Sequence, residues 1–183
     1  MILASIWPAT VEGWIGLISL FVGLVGAIAA LIPVVIKLVK ALKERKLTIS
    51  SCESLTGGAF ASSIVSVSGA SGVFVGSLVT YMDRCKEVML DGGSILEKHG
   101  AISSQMAFKM ASVTKEKLNS NIVVSFTGNA GPNASEGKEV GLVYSCIIID
   151  ENVYQYKDVY QGNRSEIRNS CIIDAKKRIL ENL

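Results

Sequence analysis

The sequence predicts an α/β domain preceded by one hydrophobic helix, and three observations carry that expectation. An uncharged stretch runs from Gly13 to Ile36, strand-like and helical periods alternate after Lys46, and glycine-rich turns join them. With 183 residues the chain holds one domain of ordinary size, large enough to bury a real core.

Residues 1–12 read as a short N-terminal tail. The next 24 residues, 13–36, carry no charge, and as a helix rising ~1.5 Å per residue they cover about 36 Å against a hydrocarbon thickness of roughly 30 Å. A transmembrane helix is therefore expected over 13–36. Mean hydropathy is +0.41, and the excess over an ordinary soluble domain sits almost wholly in this first quarter. No Lys or Arg precedes the run, which favours an uncleaved anchor over a cleaved signal peptide. Lys37, Lys40, Lys43, Arg45 and Lys46 all follow it, so the main domain is expected in the cytoplasm, with Trp7 and Trp14 at the outer boundary. Ser19, Gly23 and Ala27, with Gly26 and Ala30, line one face with small residues and suggest a homo-oligomer. A buried N-terminal helix, or a start placed too early, would instead leave the protein cytoplasmic. Pro33 is expected to kink the segment and to separate it from the amphipathic "VVIKLVKALKERK", which leads into the domain at 37–183.

Within that domain "LTISSC" reads as a strand, "GAFASSIVSV" as a helix, "VFVGSLVTY" as a strand and Asp83–Leu90 as a helix. Ser103 caps a longer helix, "SQMAFKMASVTKEKL", that stops near Asn119. "NIVVSFT" has the continuous apolar character of a buried strand. "GLVYSCIII" and "NVYQYKDVY" flank an Asp-Glu-Asn turn and read as a hairpin. The last helix starts at Arg164, with Asn163 and Glu166 spaced as a capping box.

Charge and cysteine usage exclude some functions. Residues 1–46 carry five Lys/Arg against two Glu, and residues 47–183 carry thirteen against fourteen acidic groups. A nearly neutral body without a basic stripe offers no electrostatic footprint for nucleic acid. Cys52, Cys85, Cys146 and Cys171 show no CxxC spacing and there is one histidine, a poor basis for a zinc site. They read as reduced thiols.

The chemistry concentrates in "CESLTGG", residues 52–58. If "LTISS" is a strand and Gly57-Gly58 opens a helix, Ser54 sits at a strand-to-helix junction, close to free backbone N–H groups and the positive helix end. Such a serine is either an N-cap or a nucleophile. A nucleophile needs a base. His99, just before Gly100, has the setting of a helix C-terminus, where histidine commonly complements the dipole. A desolvated lysine is the other option, and Lys86 starts a helix after an apolar strand. Spacing alone does not select it from the other cations.

"LTISSCESLTGG", "GASGVFVGSLVTYMDRCK", "HGAIS", "TGNAGP", "VGLVY" and "GNRSEIR" resemble, in order and spacing, the CinA C-terminal domain family, the nicotinamide-nucleotide amidases. The resemblance runs from about residue 40 to the end. It implies a three-layer α/β/α domain that hydrolyses the carboxamide of nicotinamide mononucleotide to nicotinate mononucleotide and ammonia, with no metal or cofactor. It also implies Ser54 as nucleophile, Lys86 as base and Tyr81 as the residue that helps hold Lys86. Backbone N–H groups around Thr56, Gly57 and Gly58, or the loop at Thr127 and Gly128, would stabilise the oxyanion. Arg164 would bind the substrate phosphate. The chain departs from the family pattern at Leu55 in place of cysteine, at Asn129 in place of an apolar residue, and at "MDRC" before Lys86. The loop "PNASEGKEV" is one residue shorter and lacks the Gly-Gly pair and the Lys-Pro step. The alternative function is a non-catalytic, membrane-tethered interaction domain of the same fold.

Overall fold

The computed structural model describes the backbone of residues 11–183, and within the first helix the side chains at 13–16, 18, 19 and from 34 onward. The chain divides into two compact units, Met1–Pro33 and Val34–Leu183. Helix α1 spans Val11–Arg45. It runs without a break through Pro33, the residue at which a kink was expected. Its last turns are amphipathic as predicted: Val35, Leu38, Val39 and Leu42 are buried while Lys37 and Lys40 face out. Lys46 adopts a left-handed conformation and the Leu47 N–H donates to the Leu42 carbonyl (2.9 Å), the bond that closes a helix C-terminus.

Among the described residues no helix is long and apolar enough to cross a membrane. The tail at 1–10, the side chains over 20–33 and with them most of the small-residue face lie outside the described residues. The expected transmembrane helix at 13–36 therefore gains no support. Its C-terminal end is the beginning of the segment that serves the core of the second unit, where Val35 is 3% exposed.

The second unit is built on a five-stranded sheet. Its strands are β1 (Ile49–Glu53), β2 (Phe74–Val79), β3 (Ile122–Gly128), β4 (Leu142–Ile149) and β5 (Asn152–Val159), in the order β2-β1-β3-β4-β5. β1 runs parallel to β2 and β3, while β4 and β5 form the predicted antiparallel hairpin. The helices are α2 (Ala59–Val65), α3 (Asp83–Leu90), α4 (Gly93–His99), α5 (Ser104–Leu118) and α6 (Arg164–Glu181).

Side-chain alternation along the strands sorts the helices into two layers. Cys52 packs with Leu90, Met106 and Met110, and the Ser125 hydroxyl donates to the Ala107 carbonyl (2.6 Å), which places α3 and α5 on one face. On the other face Phe126 stacks against Phe60 of α2 with ring centroids 5.5 Å apart, and Lys176 of α6 lies 5.6 Å from the Phe60 ring. The result is a three-layer α/β/α arrangement. Both predicted caps form: Ser103 accepts from the Met106 N–H (3.2 Å), and Asn163 with Glu166 closes a capping box. Arg178 of α6 grips Asp158 of β5 with two bonds (2.7 and 2.9 Å), and its guanidinium sits over the Tyr156 ring at 4.0 Å.

Lys176 is fully buried, its Nζ donating to the Ser63 hydroxyl at 2.6 Å. Burial pushes its pKa down to about 8, and the negative charge of Glu53 only partly offsets that.

Candidate functional site

The adjacent parallel strands β1 and β3 connect onward in opposite directions, because the chain leaves β1 for β2 and leaves β3 for β4. Crevices outside the carboxyl ends of strands at such a point are where α/β sheets bind ligands. Ser54 follows β1 directly, and its N–H donates to the Phe126 carbonyl (3.0 Å), which extends the β1–β3 ladder by one bond. The chain then turns sharply: the Gly57 N–H returns to the Ser54 carbonyl (3.0 Å), and Gly57 and Gly58 take φ values of 59° and 92°, open to glycine at little cost.

Glu53 decides what the turn can do. Its carboxylate is fully buried and accepts the N–H groups of Gly58 (2.9 Å), Phe60 (3.1 Å) and Ala61 (2.9 Å), with the Ser51 hydroxyl at 3.2 Å. An acid at the positive end of α2 thus satisfies the donors that Ser54 was expected to face. Two consequences follow. Ser54 is not the cap of α2, whose N-cap position is Gly58. The N–H groups of Gly57 and Gly58 are already engaged, and Thr56, Gly57 and Gly58 do not line the cavity described next, which corrects their expected place at an oxyanion.

Ser54, Tyr81, Lys86, Thr127, Gly128 and Arg164 do come together, around one cavity of about 430 Å³. Ser54 is 8% exposed and Lys86 1%. Lys86 reaches this position from the first turn of α3. Its Nζ donates to the Tyr81 main-chain carbonyl (3.1 Å) and lies 3.5 Å from Asp83 Oδ1. The Tyr81 phenol turns elsewhere and accepts from Arg164 Nη2 (2.9 Å), while Arg164 Nη1 donates to the Gly131 carbonyl (2.8 Å). Tyr81 therefore holds Lys86 through its backbone and Arg164 through its side chain. The Thr127 hydroxyl is committed to the Ala101 carbonyl at 2.6 Å. Asn129 exchanges bonds with Leu142 and Gly141 on the β4 side, so strand alternation points the Gly128 N–H the opposite way, past the end of β1 toward Ser54.

Other nucleophiles and bases are set apart. His99 is exposed at the C-terminus of α4, where it was expected to be structural, and it does not line the cavity. Burial pushes the Cys146 and Cys171 thiols up to about 12, and raises Cys52. Among the described residues no group of His, Cys, Asp and Glu is placed to hold a metal ion. Sequence reasoning passed over Glu53, although an acid directly before a strand-to-helix turn is the available signal for a helix-capping carboxylate. It also passed over Asp83 and Glu136, which line the same cavity.

Fold and site together define a three-layer α/β domain with a polar pocket at the switch point of its sheet. The chain belongs to the CinA C-terminal domain family, whose profile matches residues 33–183. It is 40% identical over 148 residues to a putative competence-damage inducible protein of Oceanobacillus iheyensis, covering 80% of this chain and 36% of that one. A CinA-like protein of Petrotoga mobilis shows the same identity over 148 residues, with 37% of its length covered. The chain thus spans little more than a third of these relatives. A Mycoplasma pneumoniae relative, 37% identical over 133 residues, is covered over 85% of its length. The crystal structure of the competence/damage inducible protein CihA from Agrobacterium tumefaciens superposes with a TM-score of 0.79 at 30% identity, over 83% of this chain and 94% of that one. The competence or damage-inducible protein from Enterobacter asburiae gives 0.80 at 21% identity, over 83% and 97%, which shows the shared fold.

Proposed function

We propose that the cavity hydrolyses a carboxamide, with nicotinamide mononucleotide as the substrate to test first. The single observation that carries this reading is that Ser54, which caps no helix, and the buried Lys86 line one cavity. In the reaction Ser54 Oγ bonds to the amide carbon as its proton passes to Lys86 Nζ. The tetrahedral intermediate collapses, the C–N bond breaks, and Lys86 returns the proton to the departing ammonia. Water then attacks the acyl-serine by the same proton route and releases the carboxylate. The Gly128 N–H, at the end of β3 beside the cavity, would serve as the oxyanion donor in this reading. Arg164, at the mouth between Tyr81 and Gly131, suits a phosphate.

The test is ammonia release from nicotinamide mononucleotide by the full chain, with Ser54→Ala as control. Turnover that persists in the folded control, or none in the wild type, overturns the reading. The stretch 13–36 remains an attachment segment within this proposal, and recovery of the native chain without detergent would remove it.

A further inference from the structure

The loop that departs most from the family pattern, 129–141, is tied down in an unusually complete way. At its base Asn129 Oδ1 accepts the Gly131 N–H (2.9 Å), and Nδ2 donates to the carbonyls of Asn133 (3.1 Å) and Lys138 (3.2 Å). At its tip Ser135 and Lys138 pair across Glu136 and Gly137, whose φ values of 53° and 67° belong to a tight two-residue turn. The turn presents Glu136 and Lys138 side by side, 2.9 Å apart.

Both side chains grip the connection between α4 and α5. Glu136 accepts the N–H groups of Ala101 (2.9 Å) and Ile102 (3.2 Å), and Lys138 Nζ donates to the carbonyls of Ile102 and His99 (3.3 Å). Gly100 makes room for them: a Cβ there would collide with the Glu136 carboxylate. From below, the Thr127 hydroxyl holds the Ala101 carbonyl. Ala101 and Ile102 line the cavity. Burial raises the Glu136 carboxyl, but bonds from Lys138, Ile102 and Ala101 outweigh it and hold it below the ordinary range.

We propose that Glu136 and Lys138 form a clamp that fixes the Ala101–Ile102 wall of the cavity and are positioning residues for its substrate. The substrate part rests on the amidase reading above; the clamp itself does not. Neither residue touches Ser54 or Lys86, so they act on how substrate is held, not on the bond-breaking step.

The test uses the full chain with Glu136→Ala, Glu136→Gln, Lys138→Met and Lys138→Arg. Hydrogen exchange at Ala101 and Ile102 should quicken ~10-fold or more in the first three, with β1 and β3 unchanged. Lys138→Arg, which keeps charge and donors, should retain most of the protection. With nicotinamide mononucleotide, KM should rise ~10-fold while kcat stays within about twofold. Unchanged exchange in Glu136→Ala overturns the clamp, as does Lys138→Arg being as loose as Lys138→Met. If Glu136→Ala loosens the whole sheet, Glu136→Gln decides by the same comparison. Faster exchange with unchanged KM overturns the positioning role. A wild type that releases no ammonia overturns the amidase reading and the substrate role with it, and exchange still decides the clamp.

Discussion

Replacing Lys176 by methionine should make the protein more stable at neutral pH and less stable in alkali. The amine is fully buried and its pKa falls from 10.5 to about 8. That difference of about 2.5 units, at ~1.36 kcal/mol each, is a cost of about 3 kcal/mol for holding the charged form inside the fold. The attraction to Glu53 is already contained in it. Against this, methionine gives up the bond to Ser63, about 1 kcal/mol, and the contact with the Phe60 ring, about 0.5 kcal/mol. Ser63 stays satisfied through its own bond to the Phe60 carbonyl. The net gain at pH 7 is about 2 kcal/mol, or ~4–8 °C in Tm for a unit of this size.

The pH dependence gives the sharper signature. Between pH 8 and 10.5 the unfolded chain holds a proton on Lys176 that the folded chain has released, so wild-type stability rises with pH across this window. Below it the cost is present in full. Lys176→Met lacks the slope, so the two stability curves should cross near pH ~9.5, with the variant weaker beyond. Urea unfolding of both proteins, followed by circular dichroism from pH 7 to 10.5, measures the difference directly. A variant less stable at pH 7, or a difference that stays flat across the window, refutes the reasoning.

Other expectations follow from the same contacts. Ser54→Ala should end ammonia release while shifting Tm little, since the serine caps no helix. Lys86→Arg should be nearly as inactive as Lys86→Met, because arginine cannot take up the proton of the serine; an active Lys86→Arg enzyme would require a different base. Tyr81→Phe should raise KM several-fold, on the order of 1 kcal/mol, and leave kcat close to wild type, because it frees Arg164 but keeps the carbonyl that holds Lys86. A fall in kcat with unchanged KM would contradict that division. Glu53→Ala strands three N–H groups at the start of α2 and should cost about 3 kcal/mol or more in denaturant unfolding.

What the sequence disclosed was mostly local. The Ser103 cap, the Asn163–Glu166 box and the β4–β5 hairpin depend on neighbours a few residues apart, and each formed as read. Sheet order is not local: β1 lies between β2 and β3, and nothing in the periodicity of "ISSCE" states which strands flank it. The helix α4 was glimpsed only at its end, because its seven residues open on glycine and bury none. Ser54 and Lys86, which the family resemblance had picked out, face one cavity. The oxyanion assignment at Gly57 and Gly58 meets a physical obstacle: the Ser54 carbonyl takes the Gly57 N–H, and the acid beside the serine folds back onto the Gly58 N–H. That competition depends on burying a carboxylate between a strand and a helix, which residue spacing does not reveal.

The split at Tyr81 bears on how this pocket can change over generations. A main-chain carbonyl is supplied by every amino acid, so the grip on the Lys86 amine survives any replacement at position 81 that keeps the local backbone. The phenol, which steadies Arg164 at the mouth, is the part open to mutation. Substitution at this position can therefore alter the setting of Arg164 while the contact to the Lys86 amine is inherited unaltered, so the two ends of the pocket are free to diverge at different rates.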